Sequence, residues 1–119
     1  MKTVRTEEEL ANAMKKEEPM IEIVGDLANK TIKIKATGSF AWGIAFAAIG
    51  VAVGMAMTGV GLPAALVSAG AATAFLGTGA VSTAIVLGVA AGGAGILSSL
   101  RDDYKILEKG SGRVVLKRR

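Results

Sequence analysis

The sequence predicts an α+β membrane protein: a glycine-rich transmembrane helical hairpin, with a small mixed α/β cap formed by both termini. Three observations predict it. Residues 36–100 contain no Asp, Glu, Lys or Arg, and the chain's 14 basic and 10 acidic side chains all lie in 1–35 or 101–119. Thirteen of the 16 glycines fall in the uncharged run. The charged ends, by contrast, read as short strands and an amphipathic helix. Roughly 20 apolar residues cross the ~30 Å of bilayer hydrocarbon, so the run is long enough for two crossings. Without it about 54 residues remain, near the size at which a core is marginal unless a disulfide, a metal or a partner supports it. The chain has no cysteine and no histidine, which leaves oligomerisation as the support.

The N-terminal part of the cap, 1–35, is expected as β-α-β-β. Residues 2–5 suit a strand. Thr6 with Glu9 three residues on is a capping box, and Glu7, Glu8 and Glu9 favour the positive end of a helix. Leu10, Ala13 and Met14 recur at helical spacing, Lys15 and Lys16 follow, and Pro19 ends the element. Residues 20–24 are apolar apart from Glu22 and read as a strand, and 26–30 holds a helical turn at most. Thr31 to Lys35 alternates with period two and is expected as another strand. The C-terminal part, 101–119, reads as a β-hairpin around Gly110-Ser111-Gly112. Two strands alone are marginal in water, so this hairpin is expected to join the N-terminal strands in one sheet. Both ends of the run then emerge on one side of the membrane. The start of the chain is charged and amphipathic, so a cleaved signal peptide is not expected.

Within 36–100, glycine and proline break the pattern at 59–63 and 77–79. These breaks leave 40–58 and 80–100 as full spans and 62–76 as a piece that is re-entrant or extends one arm. Lysines lead in and Arg101 and Lys105 lead out, which places both termini in the cytoplasm, with a bacterial inner membrane as the site. Contacts with membrane lipid headgroups and the interface are expected from Lys33, Lys35, Trp42, Arg101, Tyr104 and Lys105. The basic end, Lys117, Arg118 and Arg119, either joins them or serves as a solubilising strand edge.

The glycine spacing is the most specific signal. Gly50-Val-Ala-Val-Gly54 and Gly88-Val-Ala-Ala-Gly92 are both G-x-x-x-G; Gly43 and Ala47 extend the first stripe and Ala84 the second. Lipid tails are as apolar as leucine, so helices associate in a bilayer by close approach across small residues. The pattern resembles glycine-zipper membrane-inserting proteins, a motif class shared by channels, pore-forming toxins and membrane-assembly proteins. That resemblance implies helix packing and homo-oligomerisation through Gly43, Ala47, Gly50, Gly54, Ala84, Gly88 and Gly92. The plainer reading is that the same glycines let two spans of one hairpin pack together.

Ser68, Thr73, Thr78, Ser82 and Thr83 are the candidate lining of a water-filled path; otherwise each bonds to the preceding turn of its own helix. No ionisable group lies at depth, so proton relay, ion-coupled transport and voltage sensing lack their usual machinery. With neither His nor Cys, most acid–base and nucleophile pairings are absent. No catalysis, cofactor, metal, nucleic acid or small-molecule substrate is expected, and Asp102-Asp103 reads as a solvated charge pair. The expected function is a self-assembling membrane protein that forms an oligomeric pore or permeabilises the inner membrane, in the manner of a toxin or defence effector. The alternative is a non-conducting membrane scaffold or accessory subunit that packs through the same small-residue faces. A globule with the run buried would need a closed oligomer or a chaperone-like partner, because the polar ends are small against so much apolar surface.

Overall fold

The capping box at Thr6 is present: the Glu9 N–H donates to Thr6 Oγ1, and the Glu9 carboxylate accepts the Thr6 N–H, each at 3.2 Å. It starts α1 (Glu7–Lys15), which follows β1 (Lys2–Val4) and buries Leu10, Ala11, Ala13 and Met14. The computed structural model describes residues 1–59, 61 and 69–119. In it the chain continues through β2 (Met20–Val24), α2 (Asp26–Ala36), α3 (Ser39–Met57), α4 (Gly70–Leu76), α5 (Thr78–Ala91) and α6 (Gly95–Asp102). It ends with β3 (Tyr104–Gly110) and β4 (Arg113–Arg118).

Both termini share one sheet, as expected, in the order β1-β2-β4-β3. β1 and β2 are parallel and the other pairs antiparallel. Alternation sends Ile21, Ile23, Val114 and Leu116 into the core. On the outer face Arg113 bridges Glu22 and Glu108 from the two flanking strands. Hydrogen bonds from Arg113 and then Thr3 hold the Glu22 carboxyl below its usual range.

Residues 31–35 are not a strand. They form the last turns of α2, in which Leu27, Ala28, Thr31 and Ile34 are buried at one helical face. Thr31 to Lys35 alternates as a strand would, but only a helix brings Leu27 and Ala28 to the same side as Ile34. The N-terminal part is therefore β-α-β-α, with α2 against β2 and β4.

The larger correction concerns the hairpin. α3 matches the first expected span and, with a mean hydropathy of 2.0, is long and apolar enough to cross a membrane. Residues 80–100 are not a second one: α5 and α6 meet the same test only as a pair bent by 110°. The bend follows from Gly92, whose φ of 86° lets α5 end in a left-handed residue, with the Gly93 N–H donating to the Gly88 carbonyl at 2.8 Å. α5 is the central core helix, with Ala80, Val81, Ala84, Ile85 and Leu87 buried among α1, α2, α3, α4 and α6. The fold is thus an α+β globule, with six helices and a four-stranded mixed sheet among the described residues, and not a transmembrane helical hairpin. Lack of charge keeps a helix from water without saying which apolar medium takes water's place. Here α1 and α2 turn apolar faces inward and cover α5. Of the middle piece, 62–68 lies outside the described residues, and Gly70–Leu76 is a helix packed on α3.

Gly88 sets the spacing between α3 and α5, because a Cβ there would sit 2.7 Å from Val53 Cγ2. Gly88→Ala is expected to destabilise the fold by about 1–3 kcal/mol, part of which Val53→Ala in the same chain restores. Gly50→Ala, where an added Cβ meets nothing within 4 Å, is expected to raise stability by up to about 1 kcal/mol. Denaturant melts of the three variants check both signs.

Candidate functional site

The uncharged run begins after Lys35 and ends before Arg101, and these two cations meet in space. Lys35 stands in the last turn of α2 and donates from Nζ to the carbonyls of Leu100 (2.6 Å) and Arg101 (3.3 Å) at the end of α6 and of Tyr104 (2.7 Å) at the start of β3. Arg101, in the last turn of α6, donates in return to the Ile34 carbonyl at 2.7 Å. Each helix therefore has its free C-terminal carbonyls satisfied by the other's cation, where the helix dipole also favours positive charge. The Arg101 guanidinium lies 4.5 Å from the centroid of the Trp42 ring, and Trp42 packs at 5.6 Å against Phe46. This meeting of Lys35, Arg101 and Trp42, the neck of the molecule, thus fixes the first turn of α3. Burial, followed by the charges of Arg119 and Arg101, pushes the Lys35 ammonium down to about 8, with Asp102 opposing. Burial also lowers Arg101 from its usual value.

From this anchor α3 runs along α5 and α4. Ala45, Ile49, Ala52 and Val53 face inward and are buried. At 3.6 residues per turn, Gly43, Ala47, Gly50 and Gly54 share an arc of about 60° centred roughly 145° away from that inner face. A Cβ on any of these three glycines would meet nothing within 4 Å. The margins of this open stripe are apolar: Phe40 (83 % exposed), Ile44 and Val51 (59 %) on one side, Met57 (51 %) on the other. Only 22 % of the apolar window of α3 is buried within the chain. The layers run from charged sheet through α1 and α2 to α5, and then to an uncharged outer layer of α3 and α4.

The other expected residues divide. Ala84 is buried on α5, and Gly88 is the close approach to Val53, so both serve packing within the chain. Gly92 is the turn residue that ends α5. Thr73 bonds back to the Ala69 carbonyl on α4, Thr78 is exposed, and Ser82 is half-buried. Thr83 is buried and its hydroxyl has no hydrogen-bond partner among the described residues, and Ser68 lies outside them. Among the described residues, Thr73 lies on α4 and Thr78, Ser82 and Thr83 on α5. Of the interface residues, Lys35, Trp42, Arg101 and the Tyr104 carbonyl meet at the neck, while Lys33 Nζ lies beside Gly77. Lys105 and Lys117 pair across β3 and β4, Arg118 lies 5.7 Å over the Tyr104 ring, and the Arg119 N–H donates to the Asp103 carbonyl. Sequence reasoning missed Phe40, Val51 and Met57 as an exposed margin. It also missed the exchange of cations, whose signal was a basic residue in the last turn of two helices.

Fold and surface together define a small α+β protein with one charged side and one apolar side. The chain belongs to the family described as uncharacterised protein PM1101, whose model matches residues 3–118. No curated protein and no solved structure matches it.

Below pH 8 the folded and unfolded chains both carry the Lys35 proton; from about 8 to the ordinary 10.5 only the unfolded chain holds it. The folded state is therefore expected to gain stability as pH rises through that window. Lys35→Met should lack this part of the slope in urea melts run at pH 7 to 10. Arg101→Leu is expected to cost about 1–3 kcal/mol and to shift the emission of Trp42, the only tryptophan.

Proposed function

We propose that the protein is a non-conducting membrane scaffold or accessory subunit that docks on a bilayer through the outer face of α3 and self-associates through its open small-residue stripe. One observation carries this reading: a span-length helix with no charge has only 22 % of its apolar window buried inside its own chain. The core helix of an ordinary globule would be mostly covered. Lys33, exposed in the last turn of α2, adds a cation that suits anionic headgroups. The exposed large side chains of α3, Phe40, Ile44, Val51 and Met57, flank the stripe on both sides.

The choice of a scaffold over a pore rests on α3 itself. Between Gly43 and Met57 it carries no hydroxyl, amide or charge. A water path along it would have no polar wall of its own. Small residues on the stripe let two copies of α3 approach closely in lipid. The margin supplies apolar area, at about 1.5–3 kcal/mol for each large side chain buried.

Flotation with vesicles containing anionic lipid tests this. The protein is expected to float with the vesicles and to release little trapped dye. The double variant Phe40→Ser, Val51→Asp should partition at least tenfold more weakly while melting like the parent. Protein that stays at the bottom as a monomer contradicts membrane docking, and rapid dye release that scales with bound protein contradicts the scaffold reading in favour of a pore.

A further inference from the structure

A cleft of about 450 Å³ opens where the end of α1, the α5–α6 turn and β4 come together, and no residue of α3 lines it. That volume lies in the range of small-ligand sites. Three features of its wall bear on what it could hold. The first is Glu17, which closes α1 in a Schellman turn, with the Glu18 N–H donating to the Ala13 carbonyl and the Glu17 N–H to the Met14 carbonyl. Glu17, just past the end of α1, has φ 55° and is the one non-glycine residue in the left-handed region among the described residues. Glycine is usual at such a position, and a bulkier residue there costs about 1–3 kcal/mol. Glutamate instead puts a carboxylate at the cleft, 3.3 Å from Arg118 Nη2. Gly93 and Gly95 also line the wall. Neither has a positive φ, and a Cβ on either would meet nothing within 4 Å. Backbone conformation and packing do not require glycine at these two positions, and the bare backbone there leaves room for a ligand to approach closely.

The charges at the cleft are balanced. Lys15 and Arg118 are cationic, Glu17 and Asp103 anionic, and Ser99 adds a hydroxyl, with Met14 and Ile96 as apolar floor. α6 also begins at this wall without a side-chain cap. A simple anion would meet two carboxylates, and a simple cation would meet two basic groups. Glu17 and Arg118 pair with each other at 3.3 Å, and Lys15 Nζ donates to the Ala90 carbonyl at 3.2 Å. A simple ion of either sign would therefore break a pair, whereas a zwitterion replaces it with one partner of each sign. Two basic side chains and the start of α6 offer more donors than a carboxylate needs and as many as a phosphate uses.

We propose that this cleft binds a small zwitterion in which an ammonium is joined to a phosphate by a short linker, the chemistry of an ethanolamine phosphate headgroup or of its free form. The phosphate faces Lys15, Arg118 and the start of α6, and the ammonium faces Glu17 and Asp103. Because no residue of α3 lines it, the site does not rest on the docking of α3.

The test is an amide NMR titration of the full chain with O-phosphoethanolamine, then with inorganic phosphate and with ethanolamine alone. Saturable shifts at Gly93, Gly95 and Ser99 are expected, with affinity at least tenfold weaker for either half alone. Gly95→Val should abolish them, and Arg118→Gln should weaken binding about tenfold, both with the parent spectrum elsewhere. Nanodiscs of ethanolamine lipid set against choline lipid identify the source: shifts at the same amides with the first only mean a lipid headgroup, and shifts with the free compound alone mean a soluble ligand. Absence of saturable shifts, equal affinity for phosphate alone, or undiminished binding by a folded Gly95→Val chain overturns the proposal.

Discussion

Two helix C-termini, each carrying partial negative charge, meet at the neck, and the exchange of Lys35 and Arg101 between them is the interaction on which the rest depends. These are also the last charge before the uncharged run and the first one after it. The chain thus closes a loop of more than half its length with a polar clamp, and the apolar helices are held inside that loop. Arg101 extends the clamp by lying over Trp42, so the direction in which α3 leaves the neck is set by the same contact. The three carbonyls around Lys35 Nζ match the three donors of an ammonium, while burial opposes the charge. The neck is therefore both the anchor of the apolar side and a titratable point within it.

Beyond the neck, the architecture follows from which apolar faces find partners. α1 and α2 each have one, and both spend it on α5 or the sheet. α5 is apolar all round and takes the centre, as such a helix must. α3 is equally apolar but arrives last in the stack. Gly88 lets its inner face reach α5 closely, and among the described residues α4 and α5 are the helices packed on it. The polar-to-apolar gradient across the molecule is a consequence of this order and needs no separate device.

The sheet was legible because its signals are local. The capping box at Thr6, the apolar face of α1, the strand at 20–24 and the terminal hairpin each rest on a few neighbouring residues, and each is present. Thr31 to Lys35 misled because five alternating residues fit both periods, and the deciding residues, Leu27 and Ala28, lie just outside that window. The second span misled for a different reason. Residues 80–100 look like 40–58 in composition, and what separates them is tertiary: α1 and α2 fold over one and not the other. The G-x-x-x-G pairs show the same limit. Gly50 and Gly54 lie on an open face, Gly88 sits against Val53, and Gly92 turns the chain, so one motif serves three purposes. The cleft was invisible in the sequence because Lys15, Gly95 and Arg118 are brought together only by the fold.

The central claim is that the outer face of α3 meets lipid while the sheet remains in water. Spin labels at Val51 and at Glu22, in protein bound to vesicles, test it through their relative accessibility to oxygen and to a water-soluble nickel complex. The account predicts that the Val51 label is relaxed mainly by oxygen and shielded from nickel, and that the Glu22 label shows the reverse. Equal accessibility of the two labels to nickel in the presence of vesicles would contradict it.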